Sequence, residues 1–207
     1  MFKGSMVALA TPFKNGKIDE AALKSLVEFQ IISGTTALVP CGTTGESPTL
    51  SYAEHERVIE LTVKFAGGRI PVIAGTGANS TEEAIMLTKH AASVGADASL
   101  QVNPYYNRPP QNGLYLHFKA IAESVKIPLI LYNIPTRTGV NMEPETFARL
   151  AQIKNIIGVK EASGSLEQMA RIRSVCPKEF LLISGDDALT LPVMAIGGVG
   201  VISVVAN

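Results

Sequence analysis

The residue with the clearest chemical potential is a lysine at the end of an apolar run. Ile156-Ile157-Gly158-Val159 has the character of a strand buried on both faces, and Lys160-Glu161-Ala162 extends it. Burying an ammonium is costly unless it is paired or neutralised, and neutralisation means a depressed pKa. A depressed pKa makes the amine nucleophilic, and an amine nucleophile on a strand suggests Schiff-base chemistry with a carbonyl substrate. Gly158, two positions earlier on the same face, is expected to leave room beside Lys160. The competing reading is a structural ion pair of Lys160 with Glu161 or Asp186.

Other polar groups gather just after apolar runs. Gly42-Thr43-Thr44-Gly45-Glu46 offers glycines for tight turns, with amides and two hydroxyls able to hold a carboxylate or phosphate oxygen. Read locally, it is a turn whose threonines satisfy nearby backbone groups. Tyr132-Asn133-Ile134-Pro135-Thr136-Arg137 places a phenol at a strand end and a guanidinium within the following loop. That guanidinium suits bidentate binding of a substrate carboxylate, or is a solvated loop charge. Tyr105 and Tyr106 sit in a proline-bracketed loop, where a phenol transfers protons or packs at a lid or subunit interface.

Several other constellations are weaker. Asp186-Asp187 with Glu161 lacks a third carboxylate on a neighbouring strand end for a magnesium site, and an aspartate capping a helix is the better reading. His55, His90 and His117 have no metal-ligand spacing. Gly75-Thr-Gly77-Ala-Asn-Ser80 lacks the third glycine of a dinucleotide fingerprint, and no phosphate-loop motif occurs, so nucleotide cofactors are unsupported. Cys41 and Cys176 form neither a disulfide framework nor a zinc motif, which favours a reducing compartment.

These residues need a scaffold, and the apolar runs supply one. Runs at Met6–Leu9, Ala37–Val39, Pro71–Ala74, Ala98–Val102, Pro128–Tyr132, Ile156–Val159, Phe180–Ile183 and Val199–Val205 are short and bounded by turn residues. Segments of helical spacing lie between them, such as Leu23, Leu26, Val27 and Ile31. Ser51-x-x-Glu54, Ser80-x-x-Glu83 and Ser165-x-x-Gln168 are capping-box patterns. Eight strands alternating with helices predict an α/β fold with a parallel sheet, and the closed solution is a (β/α)8 barrel. A doubly wound open sheet is the rival. No linker divides residues 1–207, so one catalytic domain is expected. The eighth run ends the sequence, which predicts a barrel incomplete at its C-terminus, with an apolar strip around Val201, Ser203 and Val205 left bare.

The 18 Lys plus Arg balance 18 Asp plus Glu, and 46% of the 207 residues are hydrophobic. Zero net charge argues against a nucleic-acid binder, and the apolar content against a disordered chain. The N-terminal stretch has neither a signal peptide's apolar core nor a membrane span, making a cytoplasmic location the default.

Taken together, Gly42-Thr-Thr-Gly-Glu46, Tyr132-Asn-Ile-Pro135 and Gly158-Val-Lys-Glu161 resemble the pyruvate-dependent class I aldolase superfamily, which includes N-acetylneuraminate lyase. The likeness runs over the whole chain and is to the dihydrodipicolinate synthase (4-hydroxy-tetrahydrodipicolinate synthase) branch. Pro135-Thr-Arg-Thr-Gly139 carries the arginine of that branch, and Asn103-Pro-Tyr-Tyr-Asn-Arg-Pro109 also fits it.

The resemblance implies a lyase that joins pyruvate to L-aspartate 4-semialdehyde in lysine and diaminopimelate biosynthesis. Lys160 would form the imine, and Thr43 and Thr44 would bind the pyruvate carboxylate. Thr44, Tyr132 and Tyr106 would relay protons, Tyr106 across a dimer interface. Arg137 would hold the semialdehyde carboxylate, with Gly185 and Ile202 as further substrate-binding positions. No metal or nucleotide is implied, and the assembly would be a homotetramer, a dimer of dimers. Lysine inhibition in some members would map to Ser47, His55, Asn79, Glu83 and Tyr105, although Tyr52 stands where certain inhibited members carry histidine. Two alternatives remain at this point: an aldolase of the same superfamily acting on a sugar acid, and a non-catalytic barrel that binds small molecules.

Overall fold

The computed structural model describes residues 2–207. Eight parallel strands form its centre: β1 (Gly4–Ala8), β2 (Ala37–Val39), β3 (Ile73–Gly75), β4 (Ala98–Val102), β5 (Leu129–Asn133), β6 (Ile156–Glu161), β7 (Leu181–Ser184) and β8 (Gly200–Ser203). Their order is β2-β1-β8-β7-β6-β5-β4-β3. A parallel bridge between Leu38 and Val72, with the Gly75 N–H donating to Pro40 O (2.9 Å), joins β2 to β3 and closes the barrel. The expected barrel is therefore the observed one, and the open sheet is excluded.

Strand alternation divides the apolar side chains into layers. Met6, Val39, Ile73, Leu100, Ile130, Ile183 and Ile202 fill the interior, each buried. Outward-facing Val7, Leu38 and Ala74 pack under α1 (Glu20–Ile32) and α2 (Tyr52–Ala66). On the opposite side Leu131, Val159 and Leu182 pack under α4 (Gln111–Ser124), α6 (Pro144–Leu150) and α7 (Leu166–Val175). Burial of each large aliphatic side chain contributes about 2 kcal/mol, and cover on both faces explains why the strands read as continuous apolar runs. α3 (Thr81–Ser93), the single turn α5 (Pro135–Thr138) and the short α8 (Thr190–Ala195) complete the helices.

Three local expectations are corrected and one element is added. Only Ser51 and Glu54 form a reciprocal capping box. Ser80 and Ser165 each accept from the third-residue N–H, but Gln168 turns its amide to Glu161 and Asn141, and no return bond from Glu83 forms among the described residues. Gly158 does not make room for Lys160. A Cβ there would lie 2.6 Å from both Cβ and O of Leu181, so the glycine is required by the approach of β7. The strip expected at Val201, Ser203 and Val205 is bare only at Val205, because Val201 and Ser203 are buried. The chain turns back after β8: Gln30 Nε2 donates to Ala206 O (2.7 Å) and Asn207 Nδ2 to Ala8 O (2.8 Å), while Val204 and Val205 stay exposed. Finally, a two-residue hairpin, Phe13–Lys14 with Lys17–Ile18, was not expected.

Candidate active site

The C-terminal strand ends bring the expected residues to one end of the barrel. After β2, Gly42 to Ser47 coil into a tight turn in which Gly45 N–H and Ser47 N–H both donate to Gly42 O. Thr11 Oγ1 donates to Gly45 O (2.7 Å) and pins this turn to the end of β1. Among the described residues the N–H groups of Thr43 and Thr44 donate to nothing, as an anion-binding turn requires.

After β5, Pro135 opens the single turn α5 and Gly139 closes it with a left-handed φ of 73°. Thr138 Oγ1 donates to Ile134 O (3.0 Å), and Arg108 Nε donates to Gly139 O (2.7 Å). The turn carries Arg137 exposed at the rim of a cavity of about 260 Å³, whose walls include Thr43, Ser47, Tyr105, Tyr132 and Thr138.

Lys160 and Tyr132 are paired across β5 and β6. Lys160 is 5% exposed, makes no ion pair among the described residues, and sets Nζ 4.3 Å from the centroid of the Tyr132 ring. Burial brings its pKa down to about 8. The negative charge of Asp187 opposes the shift and the positive charge of Arg137 adds to it. Gly185 supplies the space beside it, since a Cβ there would lie 2.8 Å from Ala162 Cβ and 3.1 Å from Lys160 Cε. The Tyr132 phenol is pushed up by burial, against the Arg137 charge and the Thr43 hydroxyl.

The ion-pair reading of Lys160 therefore fails. Glu161 faces the other way and is held by Ser163, Asn133 and Gln168. Asp186 caps the short helical turn Asp187–Leu189, as the sequence suggested. Ile202 lies in the barrel interior with Tyr132 and Ile183.

One expected partner differs, and another points away from its own chain, as a residue expected to act across an interface would. Thr43, rather than Thr44, lines the cavity with Tyr132, and Tyr106 is 91% exposed, with Tyr105 taking the place at the wall. In the expected regulatory set, Glu83 and Asn79 lie around Tyr105, whose phenol is raised by burial and by Glu83. His55 is instead sealed in the core, 3% exposed, and burial lowers it to about 4. Cys41, overlooked in the sequence as a site residue, lines the cavity with a left-handed φ of 54°. Among the described residues no cluster of three or more metal-ligating side chains occurs, and no helix is long and apolar enough to cross a membrane.

A family model described as the dihydrodipicolinate synthetase family matches residues 1–207. The chain belongs to this family. The 4-hydroxy-tetrahydrodipicolinate synthase of Syntrophus aciditrophicus is 64% identical over 207 residues, covering 100% of this chain and 71% of that protein. Among solved structures, the dihydrodipicolinate synthase from Aquifex aeolicus matches with a TM-score of 0.98 at 54% identity, over 99% of this chain and 70% of its own. The chloride-inhibited family member from Acinetobacter baumannii, described as complexed with pyruvate, matches with a TM-score of 0.97 at 50% identity, over 100% of this chain and 71% of that one.

Proposed function

We propose that this family member condenses pyruvate with L-aspartate 4-semialdehyde through an imine on Lys160. The observation that carries the reading is Lys160 itself, a buried amine without an ion pair among the described residues, with a pKa near 8, beside the Tyr132 phenol. Its neutral form attacks the pyruvate keto carbon, and loss of water leaves the imine. Loss of a methyl proton gives the enamine, which forms the new carbon–carbon bond at the aldehyde carbon while the aldehyde oxygen takes up a proton. The substrate's own amine then displaces Lys160 by transimination and closes the ring. The imine serves as the electron sink, so this chemistry calls for no metal or nucleotide.

The other groups have matching tasks. The free N–H groups and hydroxyls of Thr43 and Thr44 receive the pyruvate carboxylate. Tyr132 moves protons at the buried end, and Arg137 at the cavity rim takes the semialdehyde carboxylate. Gly185 leaves room for Lys160, and Ile202 supplies an apolar wall. Tyr106, exposed on a loop with a left-handed φ of 70°, reaches the site of a second copy in a homotetramer. The protein acts in the cytoplasm as a single catalytic domain. L-Lysine is a candidate inhibitor at Ser47, Asn79, Glu83 and Tyr105, with His55 buried behind Cys41, and a titration with millimolar lysine that leaves turnover unchanged would refute this.

Turnover tests the substrate assignment. With pyruvate present, L-aspartate 4-semialdehyde should be consumed one for one, whereas sugar-derived aldehydes should not react. Consumption of a sugar aldehyde in preference to the semialdehyde would move the protein to the sugar-acid branch.

A further inference from the structure

The proposed reaction leaves one buried carboxylate without a task. Glu161 is fully buried, and among the described residues it has no cationic partner. It follows Lys160 directly, so strand alternation turns it out of the barrel interior toward α7. Its Oε1 accepts from Ser163 N–H (2.6 Å), and its Oε2 accepts from Asn133 Nδ2 (3.0 Å) and Gln168 Nε2 (3.2 Å). Its partners are three N–H donors and the Ser163 hydroxyl, which can donate or accept. Burial pushes the Glu161 carboxyl up, while these donors hold it down.

Asn133 is the hub of the same cluster. Its Oδ1 accepts from Asn103 Nδ2 (2.8 Å), just beyond β4, and from Met142 N–H (3.0 Å). Its Nδ2 also donates to Asn141 Oδ1 (2.8 Å), in the segment that leaves the Arg137 turn. Asn133 pairs with Glu161 in the β5/β6 ladder one step beyond the pair of Tyr132 with Lys160. The outward pair and the inward pair are thus successive rungs.

We propose that Glu161 and Asn133 form a clasp behind the site that holds Lys160 against Tyr132, with the Glu161 carboxyl accepting from Ser163, Asn133 and Gln168. Both are positioning residues that touch no substrate. The reading of the site as an imine-forming centre underlies the kinetic arm of the test, but not the spectroscopic one. Substitution Glu161→Gln places an amide N–H₂ among donors. The double substitution Glu161→Gln with Gln168→Glu returns the acceptor to the cluster from the opposite side of the 3.2 Å contact.

Two readouts decide the matter. The first is the Lys160 Cε–H resonance, displaced by the Tyr132 ring current in the protein without pyruvate. The second is the rate of borohydride-trapped adduct formation against pyruvate concentration. Displacing a nucleophile by a fraction of an ångström lowers the maximal rate by about tenfold while leaving the half-saturating pyruvate concentration nearly unchanged. Glu161→Gln should show this split and move the Lys160 resonance toward those of exposed lysines, and the double variant should restore both. A purely structural clasp would lower the melting temperature and leave both readouts at the parent values, which would overturn the proposal. If Glu161→Gln does not fold, Gln168→Met decides, because it removes one donor and keeps the carboxylate. A smaller shift in the Lys160 resonance supports the clasp, and an unmoved resonance refutes it. Absence of adduct in the unsubstituted protein would count against the imine reaction, while the resonance would still judge the clasp.

Discussion

The Lys160 ammonium lies against the face of the Tyr132 ring, 4.3 Å from its centroid, because the two residues are paired across neighbouring strands. The ring attracts the cation while burial disfavours it, and burial prevails, bringing the lysine to about 8. At pH 7 a lysine with that pKa is neutral in roughly one molecule in ten, against fewer than about one in a thousand for an ordinary lysine.

Imine formation should therefore follow the neutral amine. At saturating pyruvate, the trapping rate is expected to climb about tenfold per pH unit below 8 and to level off above it. Stopped reactions between pH 6 and pH 9.5 measure this, and a rate still climbing steeply at pH 9.5 would contradict it.

The same shift has a stability consequence of definite sign. The folded pKa lies below the unfolded one, so between about 8 and 10.5 the unfolded chain binds more protons and stability rises with pH. Below pH 8 the buried charge costs about 3 kcal/mol, so Lys160→Met should raise the stability at pH 7 by up to about that amount while abolishing the adduct. Urea denaturation at pH 7 of the variant and the parent provides the check. A less stable Met variant would mean that the ammonium is well solvated or paired.

Arg137 is exposed on a one-turn helix, so its removal should leave stability nearly unchanged. Loss of a charge-assisted bidentate contact is worth about 2 to 3 kcal/mol, which predicts roughly a 30- to 160-fold fall in kcat/KM for the semialdehyde in Arg137→Ala. Pyruvate adduct formation should persist. Loss of the adduct along with turnover would place Arg137 in the first half-reaction.

Gly185→Ala tests the space beside the lysine. The added methyl would meet Ala162 Cβ at 2.8 Å and Lys160 Cε at 3.1 Å. Overpacking of this kind costs about 1 to 3 kcal/mol, and displacement of Lys160 should slow trapping as well. Parent-like melting and trapping together would show that the site relaxes without moving its amine.

At the N-terminus of α2, Ser51→Ala breaks the complete capping box and should cost about 1 kcal/mol. Trapping should be unaffected, which separates local helix stability from the chemistry.

What the sequence disclosed follows from where the physics is local. Strands covered on both faces must be apolar throughout, so all eight runs could be read, and a lysine ending one of them stood out. Asn15-Gly16 also carried its signal: both residues have positive φ, as a tight hairpin turn demands, and the flanking strands were overlooked because they are two residues long. Relationships set by register were hidden. Nothing near Gly158 reveals that Leu181 approaches it, nor does Asn133 announce Glu161 as its cross-strand neighbour. Exposure was equally obscure. Of the bare strip assigned to Val201, Ser203 and Val205, only Val205 is exposed, with its neighbour Val204; Gln30 and Asn207 tie the last residues to α1 and the end of β1, contacts spanning most of the sequence.

The central claim is that Lys160 is the amine that carries pyruvate. Borohydride reduction in the presence of pyruvate, followed by peptide mass mapping, tests it directly. The expected result is a single adduct, with the mass of pyruvic acid less one water plus the two hydrogens of reduction, located on Lys160 and absent in Lys160→Met. No adduct, or an adduct on another lysine, would contradict the account.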